Sequence, residues 1–589
     1  MPSATDVPRS EYPRPQLVRP QWLCLNGRWS FAEDAAGSGE ARGLPAKGRL
    51  PGKIIVPFCP ESALSGIGNR DFMPCVWYAR KFTRPASWKG KRLLLHFGAV
   101  DYEATVWLNG QRVGFHRGGY TPFACEITRA VKRGANLLVV RAADDTRSGL
   151  QASGKQAMGY HSTGCLYTRT TGIWQSVWAE PVGRSYIKSL RMIGDPAAGT
   201  LHLQVEIDGP APSLALAVEA RAGRSVVGRA SVDASSGLAT AAVQLDHVRL
   251  WDLDDPFLYD LKLTLADEKG TVDRVESYFG LRTVTLESPV ILLNGRAVFQ
   301  RLVLDQGYYP TGIYTAPRDA DLKRDVVGSK KLGFNGARLH QKVFEPRFLY
   351  WADRLGYMVW GEYPNWGMDR SNGEAVRRMT AEWTEAVRRD FNHPSVVGWC
   401  PYNETSDWAD GQMLRDVYRL TKALDPTRPV IDSSGWHHYE TDVYDSHSYE
   451  QAPRKFAALF ADFAAGGEPL YNKPKMSPYA GQPFMVSEYG GTGWVAGRKG
   501  PGALEAGGGQ SPWGYGQGPR SVEEFIRRYR RLTTTLLRHP RMCGFCYTQL
   551  YDIEQEINGL MTYGRKMKFD PETIAAINSQ PAAIEKRRR

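Results

Sequence analysis

Two glutamates stand where they could do chemistry. Glu404 closes the run Trp399-Cys400-Pro401-Tyr402-Asn403-Glu404, and Glu488 lies in Phe484-Met485-Val486-Ser487-Glu488-Tyr489-Gly490. Each ends a short apolar run that reads as a buried strand, and each run empties into a loop rich in Gly, Trp and polar residues. In a βα-barrel a carboxylate at the C-terminal end of a strand faces the mouth, where such folds do their chemistry. Two carboxylates facing each other are the minimum equipment for cleaving a glycosidic bond: one protonates the leaving oxygen, the other deals with the oxocarbenium-like centre. At about 5–5.5 Å apart the pair works with retention; at about 6.5–9.5 Å there is room for water and the product is inverted.

Further side chains fall on predicted strand ends. Arg338, at the end of the second strand, and Tyr449, just beyond the sixth, are candidates to donate hydrogen bonds to Glu488 and keep it ionised. His340 and His447 are placed to meet sugar hydroxyls, and Asp305, ending strand one, to grip a distal hydroxyl. Each has a structural alternative. Arg338 suits a barrel ion pair, His340 a core position, His447 and Tyr449 an ordinary loop, and Asp305 a cap on the turn at Gly307. Trp366, Trp436 and Trp494 lie in predicted rim loops, where a sugar platform and simple packing fit equally well.

The elements that must position these residues fall into four segments. Residues 1–20, rich in Pro and Arg, read as a disordered or surface-draped arm. Residues 21–182 are short strands such as Leu93–Phe97, Ala104–Leu108 and Leu137–Arg141, with a hairpin turn at Asn109-Gly110, and predict a jelly-roll β-sandwich. Residues 183–284 alternate with period two through about seven runs, which predicts an immunoglobulin-like sandwich. Residues 285–589 alternate strand-like and helical runs. Strands near 298–304, 336–340, 358–361, 396–402, 430–433, 442–446, 484–488 and 543–549 predict one (β/α)8 TIM barrel. Helices are clearest over Asp319–Leu332 and Ser521–Leu537, with Asp319 and Ser521 as N-caps. By this count Glu404 ends strand four and Glu488 strand seven, 84 residues apart and across the mouth from each other. The Gly-rich stretch 490–518 is expected to form a wall or lid of the site.

Composition sets the bounds. With 42% hydrophobic and 23% charged residues the chain is ordinary for a globular protein. The net charge of +13 concentrates in Lys586–Arg589 and in Arg527, Arg528, Arg530 and Arg531. No recognition motif for nucleic acid accompanies it, so solvated faces are expected and nucleic acid is not expected as a partner. The eight cysteines are scattered, with a single C-x-x-C at Cys543 and Cys546, and read as buried free thiols. No secretory signal and no membrane-length apolar run is visible, which predicts a cytoplasmic protein without a membrane partner. Neither a metal nor an organic cofactor is required; homo-oligomerisation is compatible with this reading.

Several of these runs resemble glycoside hydrolase family 2, the β-galactosidase, β-glucuronidase and β-mannosidase family. Asn403-Glu404 after Trp399, Ser487-Glu488-Tyr489-Gly490 and Gly333-Phe334-Asn335-Gly336-Ala337-Arg338-Leu339-His340 resemble its barrel. Ala104–Gly110 and Thr171–Trp178 resemble its sugar-binding sandwich, and Leu292-Leu293-Asn294-Gly295 its entry to the barrel, in the family's order over residues 20–577. The resemblance implies a retaining double displacement on a glycoside or oligosaccharide, with Glu404 as acid/base, Glu488 as nucleophile and Asn403 donating to the sugar 2-hydroxyl. It departs from the family at Arg301–Gly307, where many members carry a Gly-Val-Asn-x-His-Glu type run, and at Cys546–Gln549, where a Trp is common. Glucuronidases carry an Asn-x-Lys element that reads the sugar carboxylate; Asn558-Gly559-Leu560 puts Leu in place of the Lys. A buried carboxylate without a cation is expensive. The expectation is therefore an exo-acting, β-galactosidase-like enzyme, with β-mannosidase, β-glucuronidase and α-L-arabinosidase activities as alternatives in the family. A carbohydrate-binding protein without catalysis is the alternative of another class.

Overall fold

A computed structural model describes residues 7–210, 213–405, 410–470, 476–495 and 511–586. Three domains follow one another as the periodicities predict. In the first, a six-stranded and a four-stranded antiparallel sheet face each other. The period-two residues Leu93, Leu95 and Phe97 meet Val106, Leu138 and Val140 in its core. At the turn predicted between Glu103–Leu108 and Gln111–Arg117, Asn109 and Gly110 have φ of 53° and 84°. Positive φ at both positions matches the twist of the paired strands.

The second domain is a sandwich of a three-stranded and a four-stranded sheet. Along Thr200–Asp208 the residues Leu201, Leu203, Val205 and Ile207 are buried while His202, Gln204 and Glu206 are exposed. That alternation is what one buried face requires.

The barrel strands are β1 (Gln300–Asp305), β2 (Gly336–Leu339), β3 (Met358–Glu362), β4 (Val396–Cys400), β5 (Ser433–Ser434), β6 (Tyr444–Ser448), β7 (Phe484–Gly490) and β8 (Met542–Thr548). Seven form one curled parallel sheet in the order β4-β3-β2-β1-β8-β7-β6. Nearly all their residues are buried, because helices cover one side and the packed barrel interior the other. The fifth position differs from the expected 430–433. Only Ser433–Ser434 pairs as a strand, with Tyr402–Asn403, while Val430 makes a single bridge to Trp399. The polar pair Ser433–Ser434 carries no apolar signal, and a strand this short escapes a periodicity reading.

Helix α1 (Asp319–Lys331) has Arg318 at its N-cap position rather than the expected Asp319, whose carboxylate is taken by Arg347 and Trp351. Helix α2 (Val522–Arg538) is capped as expected, with Ser521 Oγ accepting from Glu524 N.

The N-terminal arm is draped but not loose over its described part. Val18 pairs with Glu276, and Arg9 and Arg19 are buried. All eight cysteines are free, six of them buried, Cys543 and Cys546 within β8. Among the described residues no helix is long and apolar enough to cross a membrane. Residues 587–589 of the basic tail and 496–510 of the Gly-rich stretch lie outside the described residues.

Candidate active site

Pro401 ends β4, and the chain turns through Tyr402–Asn403 to Glu404, whose φ is +50°. A non-glycine residue in the left-handed region is uncommon and is held there by its surroundings. Here the Glu404 amide donates to Ser434 O at 2.9 Å. Asn365 fixes the residue before it: Asn403 N donates to Asn365 Oδ1 at 2.9 Å and Asn365 Nδ2 returns to Asn403 O at 3.2 Å.

Across the mouth, Glu488 sits within β7 and is buried. Arg338 Nη2 donates to its Oε1 at 2.6 Å, and Tyr449 donates to its Oε2. Burial alone would raise the pKa of this carboxyl. The positive charges of His447 and Arg338 outweigh it and hold the group far below the usual carboxylate range.

Arg338 organises the floor. It also donates to Asn403 Oδ1 at 3.0 Å and to Ser434 Oγ at 2.5 Å, and its Nε lies 2.9 Å from Glu362 Oε2. Burial pushes Glu362 up to about 7, against the pull of Arg338.

His447 bridges the two glutamates. Its Nδ1 lies 2.9 Å from Glu404 Oε1 and its Nε2 3.5 Å from Glu488 Oε1. Burial opposes its charge, but the neighbouring carboxylates prevail and raise its pKa above the ordinary value. One carboxylate oxygen of each glutamate and a ring nitrogen of His447 lie within 4.8 Å of one another. Among the described residues no other group of three His, Cys, Asp or Glu side chains converges in this way.

His340 is buried, with Nδ1 2.7 Å from Arg338 Nη2 and 2.9 Å from Glu362 Oε1. Burial, with the charges of Lys155 and Arg338, keeps it neutral. The Asn403 side-chain nitrogen is buried and has no protein partner. Tyr449 stacks on Tyr515 with ring centroids 3.5 Å apart, so the described end of the Gly-rich stretch walls the site beside Glu488.

The sequence-selected residues Glu404, Glu488, Asn403, Arg338, His340, His447 and Tyr449 thus converge. Two others do not join them. Asp305 Oδ1 accepts from Gly307 N at 3.0 Å and from Tyr551 OH, the contacts of a turn cap. Trp494 packs its ring against Phe525 and Phe569, a core position rather than a rim platform. Of the other rim tryptophans, Trp436 is exposed, and Trp366 meets His340 edge-on at 6.4 Å. Sequence reasoning missed Glu362, Asn365, Ser434 and Lys155. Glu362 and Asn365 lie at or just past the end of a strand already recognised, so that position was the available signal, whereas Ser434 sits in the short polar strand that carries none. Lys155 comes from the jelly roll, and no barrel periodicity could indicate it.

Such an arrangement can deliver a proton from one carboxyl while the other, ionised and hydrogen-bonded, meets an electrophilic carbon at close range. Comparison with known proteins finds one family across all three domains. Residues 63–154 match the sugar binding domain of glycosyl hydrolases family 2, residues 185–282 match a second domain of that family, and residues 315–505 match its TIM barrel domain. A β-glucuronidase of Paenibacillus borealis is 25% identical over 460 residues, 71% of this chain and 74% of the relative. A β-galactosidase of Thermoanaerobacterium thermosulfurigenes is 26% identical over 69% of this chain and 56% of its own length. The crystal structure of Ruminococcus gnavus β-glucuronidase superposes with a TM-score of 0.78 over 97% of this chain and 99% of that one, at 20% identity, a likeness of fold.

Proposed function

We propose that this chain, a glycosidase that belongs to glycosyl hydrolase family 2, releases a terminal non-reducing β-linked sugar by double displacement with retention. The observation that carries the reading is the closeness of the two carboxylates: oxygens of Glu404 and Glu488 lie within 4.8 Å of each other. That is near the roughly 5–5.5 Å of retaining pairs and well short of the roughly 6.5–9.5 Å at which inverting pairs admit an attacking water beside the sugar.

In the first step Glu488 attacks the anomeric carbon and forms an ester bond to it. The bond to the leaving oxygen breaks, and that oxygen takes a proton from Glu404. In the second step Glu404, now ionised, takes a proton from water, whose oxygen displaces Glu488 and restores both groups. Arg338 and Tyr449 keep Glu488 ionised for the attack, and the free donor of Asn403 suits the sugar 2-hydroxyl. His447 couples the two carboxyls as charge passes between them. The glycone expected from sequence is galactoside-like; the matched relatives bear both β-galactosidase and β-glucuronidase names.

The test is proton NMR of the first product from an aryl β-glycoside, run beside two variants. Retention predicts that the β-anomer forms first; an α-anomer would overturn the mechanism. Glu488→Ala should leave no turnover above background. Glu404→Ala should lose about 10²–10⁴-fold on poor leaving groups and much less on activated ones.

A further inference from the structure

The barrel offers no lysine at the position where an Asn-x-Lys element would read a sugar carboxylate, because Leu560 stands there and is buried. A cation nevertheless reaches the site from another domain. Lys155, on the jelly-roll stretch that follows the strand Ala135–Ala143, is 5% exposed. Its Nζ lies over the Trp366 ring at 3.7 Å from the centroid, and Trp366 in turn packs edge-on against His340.

The backbone that presents Lys155 is fixed from both sides. Ser153 N donates to Trp366 O at 2.8 Å and Gly154 N to Pro364 O at 3.2 Å, so the two preceding residues are tied to the loop after β3. Gln156 Nε2 donates to Asp101 Oδ2 at 3.0 Å, and Tyr167 N donates to the Lys155 carbonyl at 2.7 Å. The tip of the stretch is tied to the barrel from two segments: Trp513, in the stretch between β7 and α2, and Gln555, after β8, both donate to Gly164 O.

The ammonium is little used inside the protein. Among the described residues it has no carboxylate within ion-pair distance; its near contacts are the Trp366 face and the Cys165 thiol. Glu556, Glu488 and Glu404 act on it through their charge, and despite burial the group stays protonated. Both oxygens of Glu556 are already engaged, one by Tyr167 and one by Asn558 Nδ2 at 2.8 Å. A desolvated cation with donors to spare beside a sugar pocket is costly unless a ligand anion completes it.

We propose that Lys155 is the specificity-determining residue of the pocket, donating a charge-assisted hydrogen bond to an anionic substituent of the glycone, a uronate carboxylate. This rests on the glycosidase reading above and replaces the galactoside-like expectation. The cation that the barrel lacks at Leu560 is supplied by the jelly roll, beside the Glu556–Asn558 segment on the same side of the mouth.

The experiment compares kcat/KM for aryl β-glucuronide, β-galacturonide, β-galactoside and 6-sulfo-β-galactoside in wild type, Lys155→Met and Lys155→Arg, with thermal melts as a folding check. The wild type should prefer a uronide. Lys155→Met should lower the uronide-to-galactoside ratio about 100-fold, chiefly through KM, the size of a lost charge-assisted hydrogen bond. Lys155→Arg should keep part of the preference, and free glucuronate should inhibit the wild type more strongly than glucose does. Preference for the sulfated sugar would overturn the carboxylate assignment. An equal fall on all substrates would overturn the specificity role and leave Lys155 tuning the glutamates. A wild type that cleaves only neutral sugars, yet is silenced by Glu488→Ala, would overturn the Lys155 proposal and keep the mechanism. Uronide turnover that survives Glu488→Ala would overturn the mechanism itself.

Discussion

At the scale of single residues, the candidate active-site cluster rests on a buried ion pair one layer behind it. His438 Nδ1 lies 2.7 Å from Asp432 Oδ1 and its Nε2 2.9 Å from Asp445 Oδ1. Burial would lower its pKa, but the two aspartates, Asp432 foremost, raise it to about 10. Asp445 is drawn down to about 2 and accepts a hydrogen bond at 2.6 Å from Ser434, the hydroxyl that also receives Arg338. The folded pKa of His438 lies above the roughly 6.5 of an unfolded histidine. Its contribution to stability is therefore complete below about pH 6.5 and is lost as the pH rises toward 10, at about 1.4 kcal/mol per pH unit. His438→Gln should accordingly melt well below wild type at pH 6, with the gap narrowing up to pH 10. A gap independent of pH would mean that the histidine is neutral. Sequence alone could select Glu404, Glu488, Arg338 and His340 because each lies at or beside the end of a strand whose apolar run is visible, and His447 and Tyr449 because they follow the shorter, more polar run expected as strand six. The His438 pair was out of reach: its charge state is set by burial between two aspartates, and neither burial nor their approach is written in the order of residues.

At the scale of elements, strands were legible wherever one or both faces are apolar, as at Leu201–Ile207 and Phe484–Val486. They were illegible where pairing is short and polar, as at Ser433–Ser434. The jelly-roll segment carrying Lys155 has neither kind of signal; its one sequence mark is a glycine. Gly154 has φ of +56°, and a Cβ there would collide with the Gln341 carbonyl and meet Pro364. That absence of a side chain is what lets a strand-to-strand connection of one domain lie flush against the mouth of another. Gly154→Ala should cost about 1–3 kcal/mol in strain and shift Lys155 off Trp366, lowering kcat/KM on the preferred substrate at least tenfold. Gly134, whose added Cβ would meet open space, provides the comparison, and Gly134→Ala should leave turnover intact. Equal activity in the two variants would show that the approach of Gly154 to the barrel is not needed for the site.

At the scale of the whole molecule, a site assembled from two domains demands that they keep a fixed relation, and the N-terminal arm supplies part of that constraint. Arg19, 3% exposed, pairs with Glu180 of the jelly roll at 3.0 Å and with Asp273 of the immunoglobulin-like domain at 2.8 Å. It also donates to Ile187 O at 2.6 Å. Ten residues earlier, Arg9 pairs with Glu345 of the barrel at 2.5 Å. One short segment therefore touches all three domains through buried charges, which explains why its arginines are packed although the composition reads as a loose arm. Buried pairs add little net stability against apolar replacements, but removing one partner leaves the other charge uncompensated and costs about 3–5 kcal/mol. Arg19→Met should lower the melting temperature by that measure and split a single calorimetric transition, as the immunoglobulin-like domain loses its tie to the jelly roll. Adding Asp273→Asn should recover part of the loss, because the stranded carboxylate is removed with its partner. If the double variant instead costs the sum of the two single ones, uncompensated charge is not the cause, and the arm holds the domains by packing alone.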